Sequence, residues 1–77
     1  MSGIDKVNAI ASALEELNFP QRGHVIKKYI EDRDSPMEVS VTKMNVPAIA
    51  DCRFVAEQFD VLFYVDDSFD MGIFEIS

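Results

Sequence analysis

Residues 61–77 read VLFYVDDSFDMGIFEIS, and the way this stretch divides decides the fold. VLFYV at 61–65 is apolar at every position, the pattern of a strand covered on both faces and therefore central in its sheet. Asp66, Asp67 and Ser68 supply turn chemistry, because aspartate hydrogen-bonds its own backbone and tolerates unusual dihedrals. The returning segment, FDMGIFEIS, changes parity: Phe69, Met71 and Ile73 fall on one side of a strand, Phe74 and Ile76 on the other. If a single face is to stay buried, an extra residue must intervene, and Gly72 is the natural place for a bulge. The stretch reads as a β-hairpin whose tip is acidic.

Upstream of it, Asn45 or Val46 leads into Pro47, a good helix start, and Ile49, Cys52, Val55, Ala56 and Phe59 trace one stripe, with Asp51, Glu57 and Gln58 outside it. MEVSVTKM at 37–44 alternates Met37, Val39 and Val41 with Glu38, Ser40 and Thr42, which predicts a strand with one wet face at or near a sheet edge. QRGHVIKKYIEDRD at 21–34 pairs Val25 and Ile26 with Tyr29 and Ile30 four residues on, which predicts a helix with Tyr29 turned inward; a strand would instead put Lys27 on one face with Val25 and Tyr29. Asp34, Ser35 and Pro36 end it. In GIDKVNAIASALEELN at 3–18, Ile4, Val7, Ile10, Ala11, Leu14 and Leu17 recur at helical spacing, Ser2 can cap the first turn with Asp5 three residues on, and Pro20 stops the far end. The expected fold is a compact α+β domain over residues 1–77, in the order α-α-β-α-β-β. Its three-stranded mixed sheet packs against helices, and any parallel β-α-β unit crosses over right-handed.

A chain of 77 residues buries about 60% of its unfolded surface, enough for one core and no more. With 48% hydrophobic residues and 27% charged, it belongs with folded rather than disordered chains. Cys52 is the only cysteine, so no internal disulfide can form, and a reducing compartment, the cytoplasm, is expected. No apolar run approaches the roughly 18 residues of a spanning helix, and residues 1–18 carry acids unlike a signal peptide, so no membrane partner is expected.

Charge is distributed unevenly. Residues 1–50 carry seven acids against six bases, a net of −1, whereas residues 51–77 carry seven acids against Arg53 alone, a net of −6. The overall −7 disfavours direct nucleic-acid binding, which draws its affinity from clustered Lys and Arg. Arg22, His24, Lys27, Lys28 and Arg33 are interleaved with Glu31, Asp32 and Asp34, as on a solvated helix face.

The residues that could carry chemistry do not assemble into a known apparatus. Asp66, Ser68 and Asp70 match positions one, three and five of a calcium loop, but glycine comes seventh rather than sixth, and the twelfth residue is Ser77 rather than Glu. His24 and Cys52 share no motif, and the thiol lies on an apolar helix stripe, where cysteine behaves as a small hydrophobe. Gly3, Gly23 and Gly72 are too scattered to cradle a phosphate. No enzyme activity, cofactor or metal is expected. The function expected instead is protein binding, of the inhibitor, immunity or anti-restriction type. Asp66, Asp67, Asp70, Glu57 and Asp60 would imitate phosphate charge toward a basic protein surface, such as that of a nucleic-acid-binding protein or nuclease, with Phe69 and Met71 as apolar anchors. The alternative is a homo-oligomeric structural or assembly module, for instance a homodimer, joined through MEVSVTKM or FDMGIFEIS as an exposed edge strand.

Overall fold

Two polar side chains start the helices. Ser2 Oγ accepts the Asp5 N–H at 3.2 Å and opens helix α1, Gly3–Glu16. Asn45 Oδ1 accepts the Ala48 N–H at 3.0 Å and, with Pro47 in the first turn, opens helix α2, Val46–Phe59. Asp60 closes α2 in the left-handed conformation at φ 53°, with the Val61 N–H turned back to the Ala56 carbonyl at 3.1 Å. The computed structural model describes residues 2–17, 23–30 and 36–76. Pro20, which the sequence offers as a helix stop, lies outside them.

The strands are β1 (Val25–Lys28), β2 (Met37–Thr42), β3 (Leu62–Asp66) and β4 (Met71–Ile76), ordered β1-β2-β4-β3 in one sheet with every neighbouring pair antiparallel. The protein is thus a small α+β domain of two helices and a four-stranded antiparallel sheet in the order α-β-β-α-β-β, among the described residues. Several expectations are corrected, beginning with the number of strands, which is four rather than three. Val25–Lys28 is strand rather than helix, because its side chains satisfy the alternative that helical spacing had displaced: Lys27 and Tyr29 share a side, with the Lys27 ammonium 5.7 Å from the Tyr29 ring centroid. Tyr29 is not turned inward; it is exposed, and its hydroxyl donates to Asn8 Oδ1 at 2.9 Å, tying the end of β1 to α1. The sheet is not mixed: β2 and β3 run parallel but are separated by β4, which is antiparallel to both, so no parallel pair exists among the described strands.

The positions of edge and centre are also exchanged. MEVSVT forms an inner strand between β1 and β4, and VLFYV supplies the edge strand β3. The two segments named as possible oligomer edges, β2 and β4, are each paired on both sides.

No bulge interrupts β4, whose residues pair in unbroken register with β2 and, through Gly72, with β3. Gly72, Phe74 and Ile76 all face the helices, where Phe74 and Ile76 are fully buried with Val39 and Val41 of β2 and with Val7, Ile10, Leu14, Ala48, Cys52 and Val55 of the helices. Phe63 of β3 packs against Phe74 with ring centroids 4.8 Å apart and the ring planes tilted by 48°. Gly72 is small for a packing reason: a Cβ there would lie 2.6 Å from Met44 Sδ and 2.9 Å from Phe63 Cε1.

Phe74→Ala should cost about 3–5 kcal/mol, a large share of the stability of about 4–12 kcal/mol expected for a chain of this size. Gly72→Val should cost about 1–3 kcal/mol by forcing Met44 and Phe63 apart. Urea unfolding followed by circular dichroism reads both, and a neutral Gly72→Val would show that the Met44–Gly72–Phe63 contact is not tight.

Candidate protein-docking face

Both helices pack on the face of the sheet that holds Phe74, and no described helix or strand covers the other face. The register sets the residues of that bare face in rows across the strands. Ile26, Ser40, Ile73 and Tyr64 form the middle row, Lys28, Glu38, Glu75 and Leu62 one flanking row, and Thr42, Met71 and Asp66 the other. The apolar members lie open to solvent on one contiguous strip: Leu62 is 60% exposed, Ile26 49% and Tyr64 37%. Ile73 and Met71 are half-buried by their neighbours, and Ser40 is buried between the two isoleucine positions.

Carboxylates flank this apolar strip, with Lys28 the one base in its rows. The Tyr64 hydroxyl donates to Glu75 Oε1 at 3.0 Å. Its phenol is held above the ordinary value of 10.0 by desolvation, by the hydrogen bond to Glu75, and by the charges of Glu75, Glu38 and Asp66. Three carboxylates from three strands therefore bear on one aromatic side chain.

The 66–71 corner adjoins the same face. Asp66 Oδ1 accepts the Ser68 N–H at 3.1 Å, shaping the turn, and Asp70, in the left-handed region at φ 51°, accepts the Met44 N–H on Oδ1 at 3.0 Å. Its backbone carbonyl accepts the Lys43 N–H at 2.9 Å. Asp66 and Asp70 thus build the turn and fasten it to the β2–α2 loop, while Asp67 is exposed and Phe69 projects with 72% of its surface open. Met71 lies on the bare face. Among the described residues no group of three or more His, Cys, Asp or Glu converges as a metal site.

The seven residues singled out in the sequence consequently occupy two places. Asp66, Asp67, Phe69, Asp70 and Met71 gather at one corner, whereas Glu57 and Asp60 lie in and just after the last turn of α2, at the other end of β3 and about 16 Å away at the usual strand rise. There they border a cleft of about 280 Å³ lined by Arg53, Ala56, Val61, Leu62 and Phe63 as well. Sequence reasoning missed Ile26, Glu38, Leu62, Tyr64, Ile73 and Glu75, although the parity change in FDMGIFEIS and the uniform apolarity of VLFYV both signalled a second apolar face.

Of the basic group, Lys27 and Lys28 point to opposite faces of β1, and Arg22 and Arg33 lie outside the described residues. Cys52 is buried, and desolvation followed by the Asp51 carboxylate pushes its thiol up to about 12, so it stays protonated at neutral pH. No described helix is long and apolar enough to cross a membrane. Compared with models of known families, with curated proteins and with solved structures, the chain finds no match.

The raised Tyr64 phenol gives a signed prediction. Its contribution to stability is complete below the ordinary tyrosine value of 10.0 and is lost as pH rises through the higher folded value. Spectrophotometric titration of the native protein should show one tyrosine ionising late, and Glu75→Gln should move that ionisation downward. An unchanged titration would remove the Glu75–Tyr64 coupling.

Proposed function

We propose that this chain is a non-enzymatic protein-binding domain that docks a basic protein surface on the bare sheet face and the adjoining 66–71 corner. The observation that carries this reading is the solvent-exposed strip of Ile26, Tyr64 and Leu62, backed by Ile73 and Met71 and flanked by Glu38 and Glu75, with Lys28 beside them, on one side and by Asp66 on the other. Apolar anchors within a polar rim are the anatomy of a protein interface: the anchors set how slowly the complex parts, the rim sets how fast it forms. Phe69 extends the strip at its corner.

The sign of the rim selects the partner. Stacking two copies face to face would join two bodies of net charge −7 through faces that each carry the carboxylates Glu38, Glu75 and Asp66 against one base, Lys28, so self-association through this face is opposed by the same charges that attract a cationic surface. A basic partner, such as a nucleic-acid-binding protein or nuclease held in an inhibitor-like complex, meets them favourably. Steered encounters of this kind reach about 10⁸ M⁻¹s⁻¹ at low salt and slow as the Debye length contracts below roughly 8 Å.

The test begins with cross-linking and affinity capture from the native host, followed by stopped-flow association with the purified partner. Replacing Glu38 and Glu75 by Gln and Asp66, Asp67 and Asp70 by Asn keeps each side chain able to accept a hydrogen bond. The melting temperature should stay within about 4 °C, less than about 1 kcal/mol, while association at low salt slows at least tenfold. An acidic partner, or an association rate indifferent to both salt and the five substitutions, would overturn the reading.

A further inference from the structure

We infer that the outer edge of β3 is a strand-addition site, at which an extended, basic and apolar segment of another protein becomes a fifth strand beside α2. The inference rests on the protein-binding reading above and names a mode of engagement for it. β3 ends the sheet: β4 pairs it on one side, and no described strand pairs it on the other. Its outward backbone N–H and C=O groups are therefore a template for another chain. Edge strands are commonly protected by Lys, by Pro or by a bulge, and Leu62–Asp66 has none of these; its sequence is LFYVD.

The surroundings of that edge suit an added strand on both sides. Side chains of an extended segment alternate, so one set would enter the cleft between the end of α2 and β3, over Ala56, Val61 and Phe63. Arg53 stands at this cleft with its guanidinium carbon 5.7 Å from the Phe63 ring centroid. The other set would lie against Leu62 and Tyr64 on the bare face, extending it by one strand. A segment that pairs the whole of β3 spans five residues, roughly 17 Å.

Charge fixes the chemistry of the occupant. Glu57 and Asp60 border the cleft at the carboxyl end of α2, where the helix already presents partial negative charge and the last turn contains no base. Two carboxylates placed against the dipole are relieved by an incoming Lys or Arg, and Asp66 at the far end of β3 offers a second cation a partner. Arg53 offsets one of the two carboxylates at the cleft, and an acidic or purely apolar segment would leave the remaining negative charge and the helix dipole unmet.

Selection of a random octapeptide display library against the full chain supplies the probe, and the synthetic enriched peptide is titrated into ¹⁵N-labelled protein. Peptides rich in Lys or Arg and apolar residues should emerge, with the largest amide shifts at Leu62–Asp66. Methylating every second peptide nitrogen in the register that faces β3 should weaken binding at least tenfold, and methylating the other register should not. The Glu57→Gln/Asp60→Asn double variant should also weaken it at least tenfold; Asn tolerates the left-handed conformation, and an unchanged circular dichroism spectrum certifies the fold.

Three results would overturn strand addition. These are no enriched peptide, equal tolerance of both methylation registers, or shifts confined to Ile26, Ser40 and Ile73. The last leaves the bare face as a binding surface, and the capture experiment with a folded partner is unaffected by any of them, so the two proposals fail separately.

Discussion

A strand buried on one side only must put its alternate residues somewhere, and in this protein that constraint governs everything else. Two helices of fourteen residues, each about 21 Å long and about 10 Å wide, cover one face of a four-stranded sheet about 19 Å across. They cover it once. β4 therefore sends Gly72, Phe74 and Ile76 into the core and Met71, Ile73 and Glu75 out to a face that no described element shields. The core depends on this arrangement because Phe74 fills the middle of the two-layer stack, and Gly72 leaves the gap into which Met44 and Phe63 close.

The acidic C-terminal third acquires a different meaning in this frame. Its carboxylates do not form one pole. Asp66 and Asp70 are engaged in building the β3–β4 turn, Glu57 and Asp60 mark the end of α2, and Glu75 joins Glu38 of β2 around Tyr64. What unites them is β3, with acids at each end and apolar residues between, so charge and hydrophobic surface alternate along a single edge of the molecule. In the proposed reading, steering of an opposite-signed macromolecule and repulsion of a second copy of the chain act through the same groups.

Much of the fold was legible in the sequence, and what was not had identifiable causes. Both helix starts were written in Ser2 and in Asn45 with Pro47, because capping is a local interaction that needs no tertiary information. Strands β2, β3 and β4 were equally readable. β1 was not, since in four residues Val25, Ile26 and the following Tyr29 and Ile30 satisfy helical spacing as well as strand spacing, and only pairing with β2 decides between them. Edge and centre were exchanged for a related reason. The alternation of MEVSVT reports one bare face, which an inner strand of a two-layer fold shares, while the unbroken apolarity of VLFYV reports an apolar outer face at an edge. The change of parity in FDMGIFEIS suits a bulge at Gly72 as well as a strand apolar on both faces, and the unbroken register shows the second. Asp66 was readable as a turn residue, but the bare face was not, because its rows join residues up to 47 positions apart, Ile26 to Ile73, through cross-strand register.

Ile73 shares strand β4 with Phe74 but faces the opposite side of the sheet. Thermal unfolding of Ile73→Thr, which keeps the β-branched shape, measures whether that side supports the fold. A loss of less than about 1 kcal/mol is the result predicted for a residue outside the core, on the bare face. A loss of about 3 kcal/mol or more, in the range of a core truncation, would mean that Ile73 belongs to a second core and that the bare face does not exist.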